Sequence, residues 1–336
     1  MKKGNRIAAG CILAIAAVAG LAGCRDGKAT EGEKIRVAYH SNFGGSSAVS
    51  AAVDMHYFEE EGLDVELLEF SSGPPSIAVL EAGDVDISFL GHGAFDYVLE
   101  GKVQVIAVDS LSNAEEIMTR KDTGIREPED LMGKTVATSF GTSSENFLRA
   151  ALSSYGIPLE DVDIVNMDIA GAAMALVRGK VDAAVLWAPY TNEVRQYLGD
   201  EAVTVVNCMD FRDVLALPMS WVAKEEVIDS RRDTIVKFVR ALYRGMDYRN
   251  QNLEQTTKLV ASRLGMETSL IEPDVNTAVW FDSAQAAAYS RDGSFENWYQ
   301  ELGNFINEEL QLESPSQPEE YLRLDIMEEA VGSTAE

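Results

Sequence analysis

The stretch IRVAYHSNFGGSSAVSAAVDMHYFEEEGLDVELLEF (residues 35–70) is followed later in the chain by a second stretch of the same design, KTVATSFGTSSENFLRAALSSYGIPLEDVDIVNM (residues 134–167). Each begins with a short apolar run, continues through a loop of small residues into a helical pattern that closes on a glycine, and ends in a second apolar run. This order predicts a βαβ unit with parallel strands in each copy. Two such units predict an α/β chain whose two lobes face each other across a cleft.

The two small-residue loops are the first candidates for a binding site. Each lies where the carboxyl end of a strand meets the amino end of a helix, the edge at which open α/β sheets bind ligands and where helix dipoles favour anionic groups. The alternative is that the loop residues only cap their helices. The same kind of loop recurs at equivalent places in both units, which favours a role in binding. The candidates are Asn42, Phe43, Gly45, Ser46 and Ser47 in the first loop, and Thr142, Ser143 and Ser144 in the second.

Two crossing segments divide the chain between the lobes. A strand predicted over residues 115–120 leaves the first lobe, and the segment 215–223 brings the chain back. We therefore expect residues 35–114 and 218–336 to form lobe 1 and residues 115–217 to form lobe 2. From residue 227 onward the pattern is mostly helical, and the final segment, 318–330, is expected to dock on lobe 1.

Composition and charge exclude several classes of function. The 336 residues are 46% hydrophobic, enough for two domains with a sizeable core, and the formal net charge of −27 repels nucleic acid. The three cysteines and three histidines are scattered along the chain, so we expect neither a disulfide framework nor a metal site. No cofactor is expected, and a monomer is predicted.

The amino terminus has the pattern of an export signal. Lys2, Lys3 and Arg6 precede an uncharged run, residues 7–23, which is short for a membrane-spanning helix of roughly 20 residues. The segment LAGC, residues 21–24, resembles the lipobox of bacterial lipoproteins, and the resemblance implies cleavage after residue 23 and a lipid on Cys24. We therefore expect a signal peptide at 1–23, a lipidated tether at 24–34, and a protein anchored by lipid on the extracytoplasmic face of the cell membrane.

Four segments together resemble the solute-binding proteins of nitrate/sulfonate/taurine-type ABC importers. The resemblance implies a two-lobed periplasmic-binding-protein-like fold of type II, with a mainly parallel sheet flanked by helices in each lobe and two crossing strands as the hinge. It also implies a small-molecule solute and an ABC permease as partners, without fixing the solute. The segments, whose order and spacing fit residues 35–261, are HYFEEEGLDVELLEF (56–70), LEAGDVDISFLG (80–91), EDLMGKTVATSFGTSS (129–144) and VRGKVDAAVLWAPY (177–190).

Two carboxylates are candidates for a ligand amine. Glu145 stands three residues after Thr142, which fits a capping box, but the resemblance to taurine binders would also allow it to face the cleft and pair with an amine. Asp109 follows a strand predicted over residues 103–108 and is the other candidate, with the capping of a turn as its alternative role. The sequence leaves both alternatives open.

Further candidates lie at the same sheet edges. His92 and Gly93 stand at a predicted helix start, where His92 could donate to the ligand or serve as a polar loop residue. The cleft could be lined by Trp187, Tyr190 and Trp221, although aromatic side chains more often fill cores. Residues 40–47, 91–95, 138–146 and 187–192 contain no Lys or Arg. We therefore expect a zwitterion, or a neutral or cationic polar solute, rather than a bare inorganic anion.

Two other classes of function stay open beside the binding receptor. An extracytoplasmic sensor could use the same fold, and a permease and an ATPase encoded next to the gene would favour transport over sensing. A thiamine-pyrimidine-synthase-like enzyme would need a lysine-bound cofactor and redox-active cysteines, and the sequence has no cysteine-rich motif. The favoured hypothesis is a receptor without enzymatic activity.

Replacing Cys24 tests the predicted anchor. Cys24→Ser removes the sulfur that would carry the lipid, so we expect the variant to be released into the medium or to persist as an unprocessed precursor. Cell fractionation and labelling with a fatty acid measure the two outcomes. Labelling and membrane retention equal to those of the unchanged protein would show that Cys24 is not the anchor.

Overall fold

The computed structural model describes residues 32–210 and 216–332. The predicted signal peptide, the lipidation site Cys24 and residues 24–31 of the predicted tether lie outside the described residues. Glu33 and Lys34, predicted to belong to the tether, are already part of a strand. Within the described ranges, no helix is long and apolar enough to cross a membrane.

Strands and helices alternate through the earlier part of the chain, and helices dominate the later part. The strands are β1 (Glu33–His40), β2 (Leu63–Phe70), β3 (Ile87–Leu90), β4 (Gln104–Ser112), β5 (Glu116–Arg120), β6 (Thr135–Thr138), β7 (Asp163–Asn166), β8 (Ala183–Leu186), β9 (Ala202–Asn207), β10 (Pro218–Ala223) and β11 (Ala278–Trp280). The α-helices are α1 (Phe43–Asp54), α2 (Tyr57–Glu60), α3 (Gly73–Ala82), α4 (Asp96–Leu99), α5 (Ser143–Ser154), α6 (Ile169–Val177), α7 (Tyr190–Leu198), α8 (Glu225–Ser230), α9 (Arg232–Gln251), α10 (Leu253–Leu264), α11 (Thr268–Ile271), α12 (Ser283–Arg291), α13 (Ser294–Leu310), α14 (Pro318–Tyr321) and α15 (Leu324–Gly332).

The strands form two mixed sheets, and each sheet is the centre of one lobe. The sheet of lobe 1 has the order β11-β4-β10-β3-β1-β2, and that of lobe 2 has the order β7-β6-β8-β5-β9. In lobe 1, β1 to β4 run in one direction and β10 and β11 run against them. In lobe 2, β5 runs against its neighbours β8 and β9. The predicted α/β fold with two lobes and mainly parallel sheets is therefore confirmed.

The register of the strands brings both small-residue loops to the same kind of edge. β1 ends at His40 opposite Phe70 of β2, and β6 ends at Thr138 opposite Asn166 of β7. The chain leaves each sheet at a carboxyl edge and enters α1 or α5 immediately afterwards. Both helices therefore begin at the edges where a cleft between the lobes can bind a ligand.

Two segments of the chain connect the lobes and lie side by side. One joins β4 to β5, and the other leads from β9 to β10. The Ser112 N–H donates to the Leu217 carbonyl at 2.8 Å, and the Cys208 N–H donates to the Glu115 carbonyl at 3.1 Å. These segments are the two crossing strands that the resemblance implies.

The predicted elements differ from the structure in two places that matter for the cleft. β4, predicted to end at residue 108, continues to Ser112. β11 lies in a segment predicted to be mostly helical, and it pairs with the extension of β4, with Trp280 opposite Ser110. A three-residue strand has no periodicity that could reveal it, so its position is set by pairing with a distant part of the chain.

The final segment packs on lobe 1. Leu322 forms an isolated parallel bridge with Val105 of β4, and the Arg323 N–H donates to the Val105 carbonyl at 2.9 Å. α15 then lies against α9, and Ile326 and Met327 are buried in the core of this lobe.

A buried ion pair joins several elements of lobe 1 behind the cleft. Arg249 of α9 donates through Nη1 to both carboxylate oxygens of Asp109 at 2.8 and 2.7 Å, and neither side chain is exposed. The same guanidinium donates to Ser47 Oγ at 3.3 Å and to the Phe281 carbonyl at 2.9 Å. The predictions that Asp109 binds a ligand amine or caps a turn are therefore wrong, because both of its carboxylate oxygens bind Arg249.

Gly245 of α9 allows α9 to pack closely on α1. A Cβ at this position would lie 2.2 Å from the Ala48 carbonyl oxygen and 3.0 Å from Ala52 Cβ. We expect Gly245→Ala to lower the free energy of unfolding by about 1–3 kcal/mol, although alanine is the better helix former. Gly332→Ala is the control, since the space around that glycine of α15 is open. Urea denaturation measures both variants, and equal stabilities would contradict the steric argument.

Candidate ligand-binding site

Two adjoining cavities lie between the lobes at the edges where the loops meet. The space between their walls, together with the solvent at their open mouths, is about 430 Å³ for the first cavity and about 310 Å³ for the second. They share the walls formed by Asn42, Ser112, Ala114 and Met219. The first cavity is further lined by His40, Ser72, Gly73, Gly91, Gly93, Ala94, Glu115, Thr142, Ser143 and Trp187. The second is further lined by Phe43, Gly44, Ser110, Ala188, Asp274, Thr277, Ala278 and Trp280.

Three helices begin at the wall of the first cavity. Asn42 caps α1, and its Oδ1 accepts a hydrogen bond from the Gly45 N–H at 2.7 Å. Ser72 precedes α3 and Thr142 precedes α5. The first N–H groups of a helix have no partner within the helix, and the helix dipole is positive at that end. The helix starts are therefore suited to an anionic group, even though the lining of the cavity has no Lys or Arg and includes the carboxylate of Glu115.

The histidine in this wall contributes no charge. His40 is buried, and burial lowers its pKa to about 4, so the imidazole is neutral at neutral pH. Its Nε2 lies 3.2 Å from Ser76 Oγ. The part of the chain that the structure describes also contains no group of three or more His, Cys, Asp or Glu side chains placed to hold a metal ion. An anion in the first cavity would therefore bind N–H groups and hydroxyls.

The lobes touch at two places beside the cavities. A Cβ at Gly93 would lie 1.6 Å from the Ser143 nitrogen, so only glycine allows this approach. Asn146 of α5 also donates to the Gly93 carbonyl at 3.4 Å. At the second place, Asn192 of α7 donates to Asp274 Oδ1 at 2.6 Å. Both contacts join residues of different lobes, so the structure shows the cleft closed.

A second pair of buried polar side chains lies where the crossing segments meet the first cavity. His92 Nε2 is 3.0 Å from Glu115 Oε1, and Ser112 Oγ and Cys208 Sγ donate to Oε2 at 3.2 and 3.1 Å. Burial by itself raises the pKa of Glu115, but the charge of His92 and the hydrogen bonds from His92, Cys208 and Ser143 lower it to about 2. The carboxylate thus connects a loop of lobe 1, both crossing segments and the start of α5.

Several predicted binding residues lie at the cavities. Those that line one of them are Asn42, Phe43, Gly93, Thr142, Ser143 and Trp187. His92 does not line either of these cavities, but it binds Glu115, which does. Tyr190 contacts Trp187, with ring centroids 6.5 Å apart, and is not among the lining residues.

Other predicted residues of the two loops pack inside their own lobes. Gly45 packs against His40, since a Cβ at Gly45 would lie 2.6 Å from His40 Cβ. Ser46, Ser47 and Ser144 are fully buried. The hydroxyl of Ser46 donates to the Asn42 carbonyl, Ser47 accepts from Arg249, and Ser144 bonds within its own loop. The N–H groups of Gly45 and Ser46, predicted to bind the ligand, donate to Asn42 instead. The predicted contact of the Ser144 hydroxyl with the ligand is wrong, because this hydroxyl bonds to Thr138 and Ser139 in the interior.

Trp221 belongs to the core of lobe 1. It is 0% exposed, and its ring packs edge-on against Phe89 and Phe238. The prediction that Trp221 walls the cleft is therefore wrong. The side chain lies on β10, and the strand places it in the interior of the lobe.

Glu145 has a structural role close to the predicted one. Its Oε2 accepts from the Gly141 N–H at 2.8 Å, and its Oε1 pairs with Arg149 at 2.9 Å. The carboxylate therefore caps the N–H of Gly141, one residue before Thr142, whose N–H the capping box predicts as its partner. Glu145 lines neither cavity of the cleft, so the geometry gives no support to its alternative role as the partner of a ligand amine.

Sequence reasoning missed several residues of the cleft. Ser110, Ser112 and Glu115 follow the point at which β4 was predicted to end, and the run SLSNAEE (110–116) was a polar signal at that edge. Asp274 and Trp280 lie in the segment predicted to be mostly helical. Their local pattern carries no signal of a cleft, because the pairing of β11 with β4 brings them there.

Comparison with known proteins identifies the family. Residues 46–255 match the model of the NMT1/THI5-like family, so the chain belongs to that family. The matched region includes strands of both sheets and ends before Asp274.

Individual relatives and solved structures agree with this assignment. The taurine-binding periplasmic protein of Escherichia coli is 32% identical over 165 residues, 48% of this chain and 50% of that protein. A Brucella abortus protein, named only as a binding protein, is 25% identical over 291 residues, 87% of this chain and 90% of that one. The resemblance to solute-binding proteins of sulfonate and taurine importers is thereby confirmed.

Two solved structures show the breadth of this fold. The periplasmic aliphatic sulphonate-binding protein of Escherichia coli has a TM-score of 0.68 at 20% identity, with 88% of this chain and 99% of that chain covered. A desulfurization enzyme has a TM-score of 0.67 at 16% identity, with 90% and 99% covered. At these identities the likeness shows the fold alone.

Glu115→Gln tests the buried pair with His92. The fold lowers the pKa of Glu115 from 4.5 to about 2, so the ionised carboxylate stabilises the fold above pH 4.5 and loses this contribution as the pH falls toward 2. We expect the variant to lose about 3 kcal/mol of unfolding free energy near neutral pH, with a smaller loss in acid.

Urea denaturation at neutral pH and in acid measures this effect. Glu66→Gln, on an exposed position of β2, is the control and should change the free energy of unfolding by less than about 0.5 kcal/mol. A loss in Glu115→Gln that does not depend on pH would show that the charge is not its source.

Proposed function

We propose that this protein is an extracytoplasmic receptor that binds a small polar solute with an anionic head and delivers it to an ABC importer. The observation that carries the proposal is the convergence of three helix starts on one cavity between two lobes. Helix N-termini bind anions without help from basic side chains. Membership of the family and the relatives named for taurine and sulfonates support the same class of solute.

Binding is coupled to closure because the cavity has walls from both lobes. Ser72 and Gly93 come from lobe 1, and Thr142, Ser143 and Trp187 come from lobe 2. A solute that contacts both walls binds the closed arrangement more tightly than the open one and therefore shifts the population toward it. The permease can then distinguish a loaded receptor from an empty one by its shape.

We further propose that a lipid on Cys24 holds the receptor, as a monomer, at the outer face of the membrane. The LAGC segment and the polar residues after it support this anchor. The formal charge without residues 1–23 is −30, because the three basic residues of that segment leave 25 basic residues against 55 acidic ones. A lipid therefore suits this chain better than a basic patch as the link to an anionic membrane surface.

Thiol chemistry is disfavoured at this cleft, although an enzyme shares the fold. A nucleophilic cysteine needs a lowered pKa and access to its substrate. Burial and the carboxylate of Glu115 instead raise the pKa of Cys208 well above its ordinary value, and the residue is 2% exposed. The Cys208 thiol therefore stays protonated and serves as a hydrogen-bond donor.

Asn42→Asp tests whether an anionic head binds at the helix starts. Aspartate caps a helix as well as asparagine does, so α1 should persist, but the variant loses the Nδ2 donor and gains a negative charge. We expect the affinity for 1-propanesulfonate, measured by calorimetry on the full chain in mild detergent, to fall by about tenfold or more.

Two control variants separate charge from capping. Asn42→Ser keeps a cap without adding charge and should weaken binding less than Asn42→Asp does. Asp168→Asn makes the reverse change at the cap of α6, away from both cavities, and should leave the affinity unchanged. Equal affinities of the wild type and Asn42→Asp would contradict an anion site at the start of α1.

A further inference from the structure

The second cavity contains two buried polar atoms that no described residue satisfies. Ser110 Oγ and Asp274 Oδ2 have no hydrogen-bond partner among the described residues, and the two residues are 0% and 1% exposed. Both residues line the cavity. Buried polar side chains are nearly always paired. Two unpaired atoms at one cavity therefore point to a ligand group that binds there.

The chemistry of these atoms selects a positively charged donor. An ionised carboxylate only accepts hydrogen bonds, and a hydroxyl can accept as well. Asn192 already donates to Asp274 Oδ1, so Oδ2 is the oxygen left for a ligand. Burial raises the pKa of Asp274 to about 7 in spite of the hydrogen bond from Asn192 and the nearby backbone N–H of Phe43, which lower it. The carboxylate therefore lacks a compensating positive charge.

The described side chains around the cavity do not supply that charge. No Lys or Arg is among the lining residues. The guanidinium of Arg249 lies 5.0 Å from the ring of Trp280 in the cavity wall, but it donates to both oxygens of Asp109 and to the Phe281 carbonyl. Its charge is neutralised by Asp109, so a cation for Asp274 has to come from the ligand.

The arrangement of the two cavities limits the shape of that ligand. They share Asn42, Ser112 and Met219 as walls, so one molecule can extend from the helix starts into the second cavity. Phe43 and Trp280, with ring centroids 5.2 Å apart, give the second cavity an apolar wall. This wall suits a short chain of methylene groups between two polar ends.

We propose that Ser110 and Asp274 form an ammonium-binding subsite, so that the solute is a small zwitterion with a primary amine at this subsite and its anionic head at the helix starts. The position of the head rests on the proposed function, whereas the subsite stands on its own contacts. Asp274 lies beyond residue 255, where the family match ends.

Matched pairs of probes test the subsite by calorimetry on the full chain. Taurine and 1-propanesulfonate have the same head and nearly the same size, but only taurine has an amine. β-Alanine and butyrate form the corresponding carboxylate pair. We expect the amine-bearing member of at least one pair to bind about tenfold more tightly or better, because hydrogen bonds between charged groups in a buried site are strong.

Three variants assign the effect to residues. Asp274→Asn removes the charge but keeps an oxygen that accepts from Asn192. We therefore expect it to lower the affinity for the amine-bearing probe by about tenfold or more, and to change the affinity for the amine-free probe by less than about threefold. Ser110→Ala should lower the affinity for the amine-bearing probe by a smaller factor. Asp64→Asn, at an exposed position of β2, is the matched control and should change neither affinity. Thermal unfolding checks that each variant is folded.

The outcomes separate this proposal from the proposed function. Equal binding of both members of each pair, or equal weakening of both by Asp274→Asn, overturns the ammonium subsite and leaves the anion site in place. Binding of 1-propylamine that depends on Asp274, without binding of any anionic probe, supports the subsite and overturns the anionic head. Failure of every probe to bind overturns both.

Discussion

The ion pair between Arg249 and Asp109 is the interaction on which the cleft depends. It joins α9 to β4 and, through Ser47 and the Phe281 carbonyl, to α1 and to the residue after β11. Ser110 follows Asp109 in the chain and Trp280 precedes Phe281, so the pair fixes two walls of the second cavity. Burying two charges costs several kcal/mol, and it is tolerated here because each charge is met by hydrogen bonds.

Asp109 and Asp274 show how environment decides the role of a carboxylate. Both are buried in lobe 1. Asp109 has a guanidinium bound to both oxygens, whereas Asp274 has one oxygen bound to Asn192 and the other without a partner among the described residues. The first is structural and the second can act on a ligand. The two ends of the cleft consequently favour opposite charges, because helix starts lie at one end and a carboxylate without a bound cation lies at the other.

This polarity also links the ligand to closure. Asn192 of lobe 2 contacts Asp274 of lobe 1, and Glu115 joins both crossing segments to the start of α5 through Ser143. A carboxylate buried by closure disfavours the closed form unless a positive charge accompanies it. A ligand amine at Asp274 would supply that charge, so closure would be favoured when the correct solute is present.

Local patterns predicted the fold, and strand alternation explains why Asp109 was wrongly placed in the site. The βαβ units were recognisable because their strands, loops and helices are contiguous, and Asn42, Gly93 and Ser143 were found because strand ends share an edge. Asp274 could not be predicted from a local pattern, since pairing between distant segments brings it to the cleft. Asp109 was predicted to bind the ligand, whereas it is the next residue, Ser110, that lines the cavity. Successive side chains of a strand point to opposite faces, so once β4 continues past residue 108, Asp109 turns toward Arg249 and its neighbour toward the cleft.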